Sequence, residues 1–237
     1  MRPDPTDPAW LYELVHQHKD YAGDADRIHA LLSRHGHPSG RLIEGACGSG
    51  SYLRPLQAHY QVAGFDLDQR MVDLARGWMP GVDLWRADLA SWATRSPADV
   101  QLFLFGALCH LDLDGVSAAA RCAFEALKPG GVVLVEPWVS ARDFVPGEPH
   151  MVVVDTPRLK VCRQVVTRRE GQRAVMDFHY LVAWSGGEVA HVQDNATLHL
   201  HDREALKQRL SGAGLVLIDE VTGLMAGCPL WVFKRPG

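Results

Sequence analysis

The run Glu44-Gly45-Ala46-Cys47-Gly48-Ser49-Gly50 sets an acid at the end of an apolar segment and follows it with small residues, including glycines two apart. Sixteen residues after Gly50 a second acid, Asp66, ends another apolar run, Tyr60 to Phe65. Glycines in such a turn let the backbone approach a ligand closely. An acid at the tip of the next strand accepts both hydroxyls of a ribose. The spacing describes a nucleoside pocket.

Which nucleoside it takes follows from what the turn lacks. A dinucleotide turn wants a third glycine or alanine three residues after the second, so that helix and strand pack closely, and Leu53 stands there. No Gly-Lys-Ser/Thr follows, which removes the phosphate-cradling loop of the nucleotidases. Glu44 sits badly beside a pyrophosphate and well beside a cation. A nucleoside without phosphates and with positive charge is S-adenosylmethionine.

An alternation of strands and helices must position these residues. Pro3, Pro5 and Pro8 mark a flexible leader, followed by helical spacing from Trp10 to Lys19 and a second helix from Asp24 to His35. Strands are expected at Arg41 to Gly45, Tyr60 to Asp66, Val82 to Arg86, Val100 to Phe105 and Gly131 to Glu136. Between them lie helices over Ser51 to His59, Asp68 to Gly77 and Asp114 to Leu127, and a turn at Lys128-Pro129-Gly130-Gly131. Such alternation implies an α/β fold with a doubly wound, mostly parallel, Rossmann-like sheet. After Trp138 the pattern turns to β-type runs at Met151 to Val154, Leu159 to Thr167, Ala174 to Trp184 and Glu188 to Leu200. These make an antiparallel β insert after the fifth strand, expected over the C-terminal strand ends where ligands bind. A helix from Asp202 to Ala213 and a hairpin of Leu215 to Val221 with Pro229 to Lys234 complete the chain. The expected division is 1–39 for leader and lid helices, 40–140 for the cofactor core, 141–201 for the insert and 202–237 for the closing helix and hairpin.

Composition narrows the partners. With 237 residues, 47% hydrophobic and 22% charged, the chain suits one globular domain carrying an insertion. A formal net charge of -4 offers no general field for nucleic acid. The longest apolar runs are far short of a membrane span, and the acidic, proline-rich start has no hydrophobic signal core. Five scattered cysteines without a CxxC pair argue for a reduced, cytoplasmic protein. No cluster of Asp and Asn metal ligands follows the fourth strand, so no metal is expected.

On these motifs the chain resembles the class I S-adenosylmethionine-dependent methyltransferases. Glu44 to Gly50 is similar to their first motif, which usually carries Asp at the place of Glu44. Gly64-Phe65-Asp66-Leu67-Asp68, with Met71 and Ala75, is similar to the second. Ala87-Asp88-Leu89 resembles the adenine-edge motif, and Leu127 to Gly131 the turn before the fifth strand. The resemblance implies that Glu44 holds the cofactor's ammonium indirectly or orders its turn, while Ala46, Gly48 and Gly50 make room for the methionyl part. Asp66 takes the ribose, with Leu67 and Met71 beside it. Asp88 takes the adenine amine and Leu89 an adenine face, and Phe105 and Gly106 line the pocket.

A narrower resemblance lies outside the core. Tyr12-Glu13-Leu14-Val15-His16-Gln17, Lys19-Asp20-Tyr21, Cys109-His110-Leu111, Glu136-Pro137-Trp138 and His179-Tyr180-Leu181-Val182 are similar to stretches of the aminosugar N,N-dimethyltransferases of macrolide antibiotic pathways. That resemblance implies cofactor contacts from Tyr12 and Tyr21, a substrate-facing His110, and a homodimer through the antiparallel sheet. Glu136, Trp138 and His179 are further candidates for contact with a small-molecule acceptor.

Chemistry alone supports part of this. An amine must lose its proton before it attacks, and His110 at the end of a parallel strand can accept one near neutral pH. It can equally be a helix-start histidine bonded to nearby backbone. One departure bears on the acceptor: the family's last hairpin carries an arginine suited to a diphosphate, whereas Gly223-Leu224-Met225-Ala226-Gly227-Cys228-Pro229 has none. Arg158, Arg163, Arg168 and Arg169 are candidates to compensate. An O-methyltransferase and a non-catalytic cofactor-binding subunit stay open as alternatives.

Overall fold

Caps decide where the first helices begin. The computed structural model describes residues 4–94 and 96–237, so Pro3 lies outside the described residues. Asp7 accepts a hydrogen bond from the Ala9 N–H and starts α1 (Pro8–His16). Pro8, expected in a flexible leader, is therefore the first helical residue, where its fixed φ and missing N–H suit the helix. Asp20 accepts from the Gly23 N–H and starts α2 (Tyr21–Arg34) earlier than the expected Asp24.

From there strands and helices alternate: β1 (Arg41–Gly45), α3 (Leu53–Leu56), β2 (Gln61–Asp66), α4 (Gln69–Trp78), β3 (Asp83–Arg86), β4 (Ala98–Phe103), α5 (Leu113–Ala126) and β5 (Leu127–Val135). The helix expected over Ser51 to His59 shrinks to the one turn of α3. Pro55 has no N–H to donate, and Ala58 and His59 tighten into bonds to the Pro55 and Leu56 carbonyls. The turn expected at Lys128 to Gly131 is an irregularity inside β5: Ala98 pairs with Leu127 but Val100 pairs with Val132.

The insert is β6 (Pro149–Asp155), β7 (Leu159–Glu170), β8 (Arg173–Trp184) and β9 (Val189–His199), an antiparallel meander in sequence order. The chain ends with α6 (Arg203–Gly212), β10 (Val216–Thr222) and β11 (Pro229–Lys234). The large sheet runs β10-β11-β5-β4-β1-β2-β3, parallel except that β11 is antiparallel to both its neighbours.

Contacts divide the chain into two compact units. One holds residues 20–142 and 201–237 around the seven-stranded sheet. Alternation along its strands buries both faces: Leu42, Val100 and Leu102 pack under α2, α3 and α4, while Ile43, Phe103 and Val133 pack under α5 and α6. The NAD-type close approach of helix to strand is here made from the strand side. A Cβ on Gly64 would lie 2.7 Å from the Leu53 side chain, so Gly64 gives Leu53 the room that a third glycine would otherwise create.

The other unit holds residues 1–19 and 143–200. Within it Leu11 and Val15 of α1 bury against Val154, Val161, Tyr180 and Val182 of the antiparallel sheet. The helices of 1–39 thus part company, α1 with the insert and α2 with the large sheet. Among the described residues no helix is long and apolar enough to cross a membrane.

Candidate active site

Two turns at the C-terminal end of the large sheet carry the chemistry. After β1 the backbone enters the left-handed region at Ala46 (φ 54°), Gly48 (φ 54°) and Gly50 (φ 78°). Ala46 lacks a glycine's freedom, and this conformation costs it ~1–2 kcal/mol. Asp66 at the tip of β2 holds the turn. Its Oδ2 accepts from the Gly48 N–H at 2.8 Å and its Oδ1 from the Asp68 N–H at 2.9 Å. Each oxygen keeps a further lone pair, which a diol can use. Burial raises the Asp66 carboxyl above the usual range, and those two backbone bonds and the nearby His110 oppose the rise.

After β4 the same left-handed geometry recurs at Phe105 (φ 54°) and Gly106 (φ 73°), leading into a single 3-10 turn, Ala107–His110. The His110 ring is exposed yet has dense protein around it, which depresses the imidazole below its ordinary value. The Asp66 carboxylate pulls the other way. His110 and Asp66 therefore sense each other's charge across the two turns. Buried His201 bonds the Leu111 carbonyl through Nε2 at 2.8 Å and so fixes the residue after His110.

Glu44, in β1 two residues before Ala46, is 3% exposed. Its Oε2 is sealed from solvent and has no hydrogen-bond partner. Burial, with the charge of Asp66 added, pushes this carboxyl well above the usual range. An unpaired buried carboxylate is costly, and a cation beside it reverses the cost. Tyr52, buried under the same end of the sheet, feels the charges of Glu136, Asp24 and Glu44 together and has its phenol pushed up, chiefly by burial. Tyr21 meets Tyr52 edge-on at 5.0 Å. Converging acids fit a ligand that carries a sulfonium and an ammonium, so the residues present suit S-adenosylmethionine. Asp24 (8% exposed) and Tyr52 are buried groups coupled to these acids that the motifs did not indicate, because a helix acid and a lone tyrosine carry no signature of their own.

Asp88 accepts from the Ala90 N–H at 2.8 Å, and Leu89 is buried next to it. Leu67 is exposed, Met71 half-buried. Trp138 packs on Gly106, where an added Cβ would lie 3.1 Å from the Trp138 Cβ. Glu136 is 1% exposed and its carboxylate is engaged with backbone: Oε2 accepts from Phe105 (3.0 Å), Oε1 from Leu224 and Met225. Tyr12 and His179 belong to the other unit. The Tyr12 ring lies tilted against that of His16, centroids 4.2 Å apart. His179 lies on the sheet face opposite α1, its Nδ1 3.0 Å from Nε2 of His191. Of the candidate arginines, Arg168 pairs with Asp177 and Arg163 lies over the Phe178 ring at 5.3 Å. Two arginines not singled out by sequence reach the last-hairpin loop: Arg27 donates to the Thr222 and Gly223 carbonyls and Arg203 to that of Gly227.

A seven-stranded sheet of this order, a glycine turn after β1 and an acid at the tip of β2 define a class I S-adenosylmethionine-dependent methyltransferase. Residues 43–131 match the family model of the methyltransferase domain. Over 211 residues the chain is 32% identical to the dTDP-3-amino-3,6-dideoxy-alpha-D-glucopyranose N,N-dimethyltransferase of Streptomyces fradiae, covering 87% of this chain and 83% of that one. The crystal structure of Streptomyces venezuelae DesVI superposes with a TM-score of 0.89 at 29% identity over the whole of both chains. S-adenosylmethionine-bound CalS10, an amino pentose methyltransferase from Micromonospora echinaspora, shares the fold with a TM-score of 0.84 at 24% identity, over 99% of this chain and 100% of its own. The chain belongs to the S-adenosylmethionine-dependent methyltransferases, in the branch of the dTDP-aminosugar N,N-dimethyltransferases.

Proposed function

We propose that the protein methylates the amine of an aminosugar, with His110 as the group that takes the amine's proton. The observation that carries this role is the place of His110, exposed at the end of the 3-10 turn after β4, where surrounding protein lowers its imidazole and the Asp66 charge opposes that shift. When bound, S-adenosylmethionine supplies a methyl carbon activated by sulfonium. Glu44 and the turn through Ala46, Gly48 and Gly50 would hold its methionyl end. Asp66, with Leu67 and Met71, would hold the ribose, and Asp88 and Leu89 the adenine. Phe105 and Gly106 would line the pocket, with Tyr21 as a further contact. His110 accepts the proton that the ammonium form of the acceptor must lose, and the Asp66 carboxylate favours the resulting imidazolium. Trp138 is proposed to contact the acceptor.

The test is methyl transfer to a panel of aminosugars, free and dTDP-linked, with product mass distinguishing nitrogen from oxygen acceptors. Absence of transfer to every amine would remove the reading. Better turnover of free than of dTDP-linked sugars would tie the arginine-free last hairpin to an acceptor without a diphosphate. Because His110 works as the neutral ring, kcat should fall as pH drops through its pKa, and that limb should lie below the ordinary histidine value of ~6.5.

The same reading includes a cytoplasmic homodimer with no nucleic-acid or membrane partner. Met151, Val153, Leu181 and Val189 leave one face of the four-stranded sheet apolar and exposed, which favours association between copies. Leu181→Glu should shift the sedimentation coefficient to that of a monomer; an unchanged value would remove this face from the dimer.

A further inference from the structure

Glu136 is bonded to two separate stretches of chain, 103–106 and 224–225. Its N–H donates to the Phe103 carbonyl at 2.9 Å and its own carbonyl accepts from Gly106 at 3.1 Å. Its side chain reaches further: Oε2 takes the Phe105 N–H at 3.0 Å, and Oε1 takes the N–H groups of Leu224 (2.5 Å) and Met225 (2.7 Å). The Phe105 bond falls on a non-glycine residue with a φ of 54°, a conformation that persists only where its surroundings impose it. The next residue, Gly106, opens the 3-10 turn that ends at His110, through Cys109 N–H to the Gly106 carbonyl at 2.8 Å. The loop after β10 is fitted to the same carboxylate. A Cβ on Gly223 would lie 2.9 Å from Glu136 Oε1 and 2.5 Å from the Cys228 carbonyl, so only glycine lets the loop approach.

We infer that Glu136 is a positioning residue for the methyl-transfer reaction: it locks the left-handed Phe105–Gly106 turn that aims His110 and couples that turn to the 223–228 loop. With three backbone donors on it and almost no exposed surface, it acts through the backbone rather than by touching the acceptor. The inference rests on the role proposed for His110, and the test reads His110 directly as well as through turnover.

Two variants break the clamp differently. Glu136→Gln replaces one accepting oxygen with an N–H donor facing backbone N–H groups. Gly223→Ala leaves the carboxylate intact and pushes the loop off it. For each folded variant, kcat and KM are measured on an accepted amine, cofactor affinity by calorimetry, and the His110 titration midpoint by NMR of its Cε1–H. The expected result is a loss of kcat of at least fiftyfold in Glu136→Gln, with acceptor KM changed by less than fivefold. Its His110 midpoint should rise toward the ordinary histidine value as the ring leaves its dense surroundings. Gly223→Ala should move both quantities in the same direction, and the double variant should be no worse than Glu136→Gln alone. A His110 midpoint that stays at the wild-type value in either folded variant would overturn the inference. So would a raised KM with unchanged kcat, which would make Glu136 an acceptor contact. If the aminosugar assignment failed, the midpoint shift would still be observed.

Discussion

The turns after β1 and β4 are built alike and used differently. Each leaves a parallel strand through left-handed residues, one of them not glycine, and each is held by a carboxylate from a neighbouring strand: Asp66 of β2 on Gly48, and Glu136, just past β5, on Phe105. Asp66 gives each oxygen one backbone donor and stays partly open, so it retains acceptor capacity for a ligand. Glu136 accepts three donors and is shut away. The same device becomes a ligand contact or a fastener according to how many lone pairs the backbone has already used.

The comparison can be broken from its largest consequence downward. His110→Ala should lower single-turnover methylation by ~10²–10⁴-fold while leaving S-adenosylmethionine affinity nearly unchanged, as expected for loss of a general base. Unaltered turnover would sink its role and the chemical distinction between the two turns. Asp66→Ala removes a charge-assisted bond to the first turn as well as the ribose acceptor. Its cofactor affinity in calorimetry should fall ~10–100-fold, the range of a lost hydrogen bond to a charged group.

Glu44→Gln tests the buried acid between the two turns. The folded-state pKa of Glu44 is raised, so the folded protein binds the proton more tightly than the unfolded chain does. Cofactor-free stability is therefore greatest below the ordinary glutamate value and declines as pH rises through the window up to the raised one. The variant should flatten that decline and unfold at a higher temperature than wild type at pH 8, with a smaller difference at pH 5, while binding the cofactor less tightly. A melting difference independent of pH would contradict the assignment. Ala46→Gly should have the smallest effect. Relief of ~1–2 kcal/mol of strain, offset by ~0.5–1 kcal/mol of added chain entropy, leaves at most about 1.5 kcal/mol, or ~3–6 °C in melting temperature.

Legibility in the sequence followed the range of the interactions. The Glu44 to Gly50 turn, Asp66 and the Asp68 cap lie close together in the chain, and their residue types announce their geometry. The alternating strands were readable because both faces of the large sheet bury apolar side chains. The shortening of α3 and the entry of Pro8 into α1 were harder to read, since proline serves equally as a breaker and as a first helical residue.

By itself the sequence determined the methyl donor and the sheet that holds it, because a glycine turn and a strand-tip acid express local backbone preferences. Tertiary structure decided what the acids do. Glu136 and Leu224 are 88 residues apart, and nothing in either local sequence says that this carboxylate will be spent on backbone N–H groups. The charge coupling of His110 to Asp66 and the isolation of Glu44 Oε2 likewise exist only once β1, β2 and β4 lie side by side. Burial and the count of available donors are properties of the packed chain, and they separate a ligand-binding acid from a structural one.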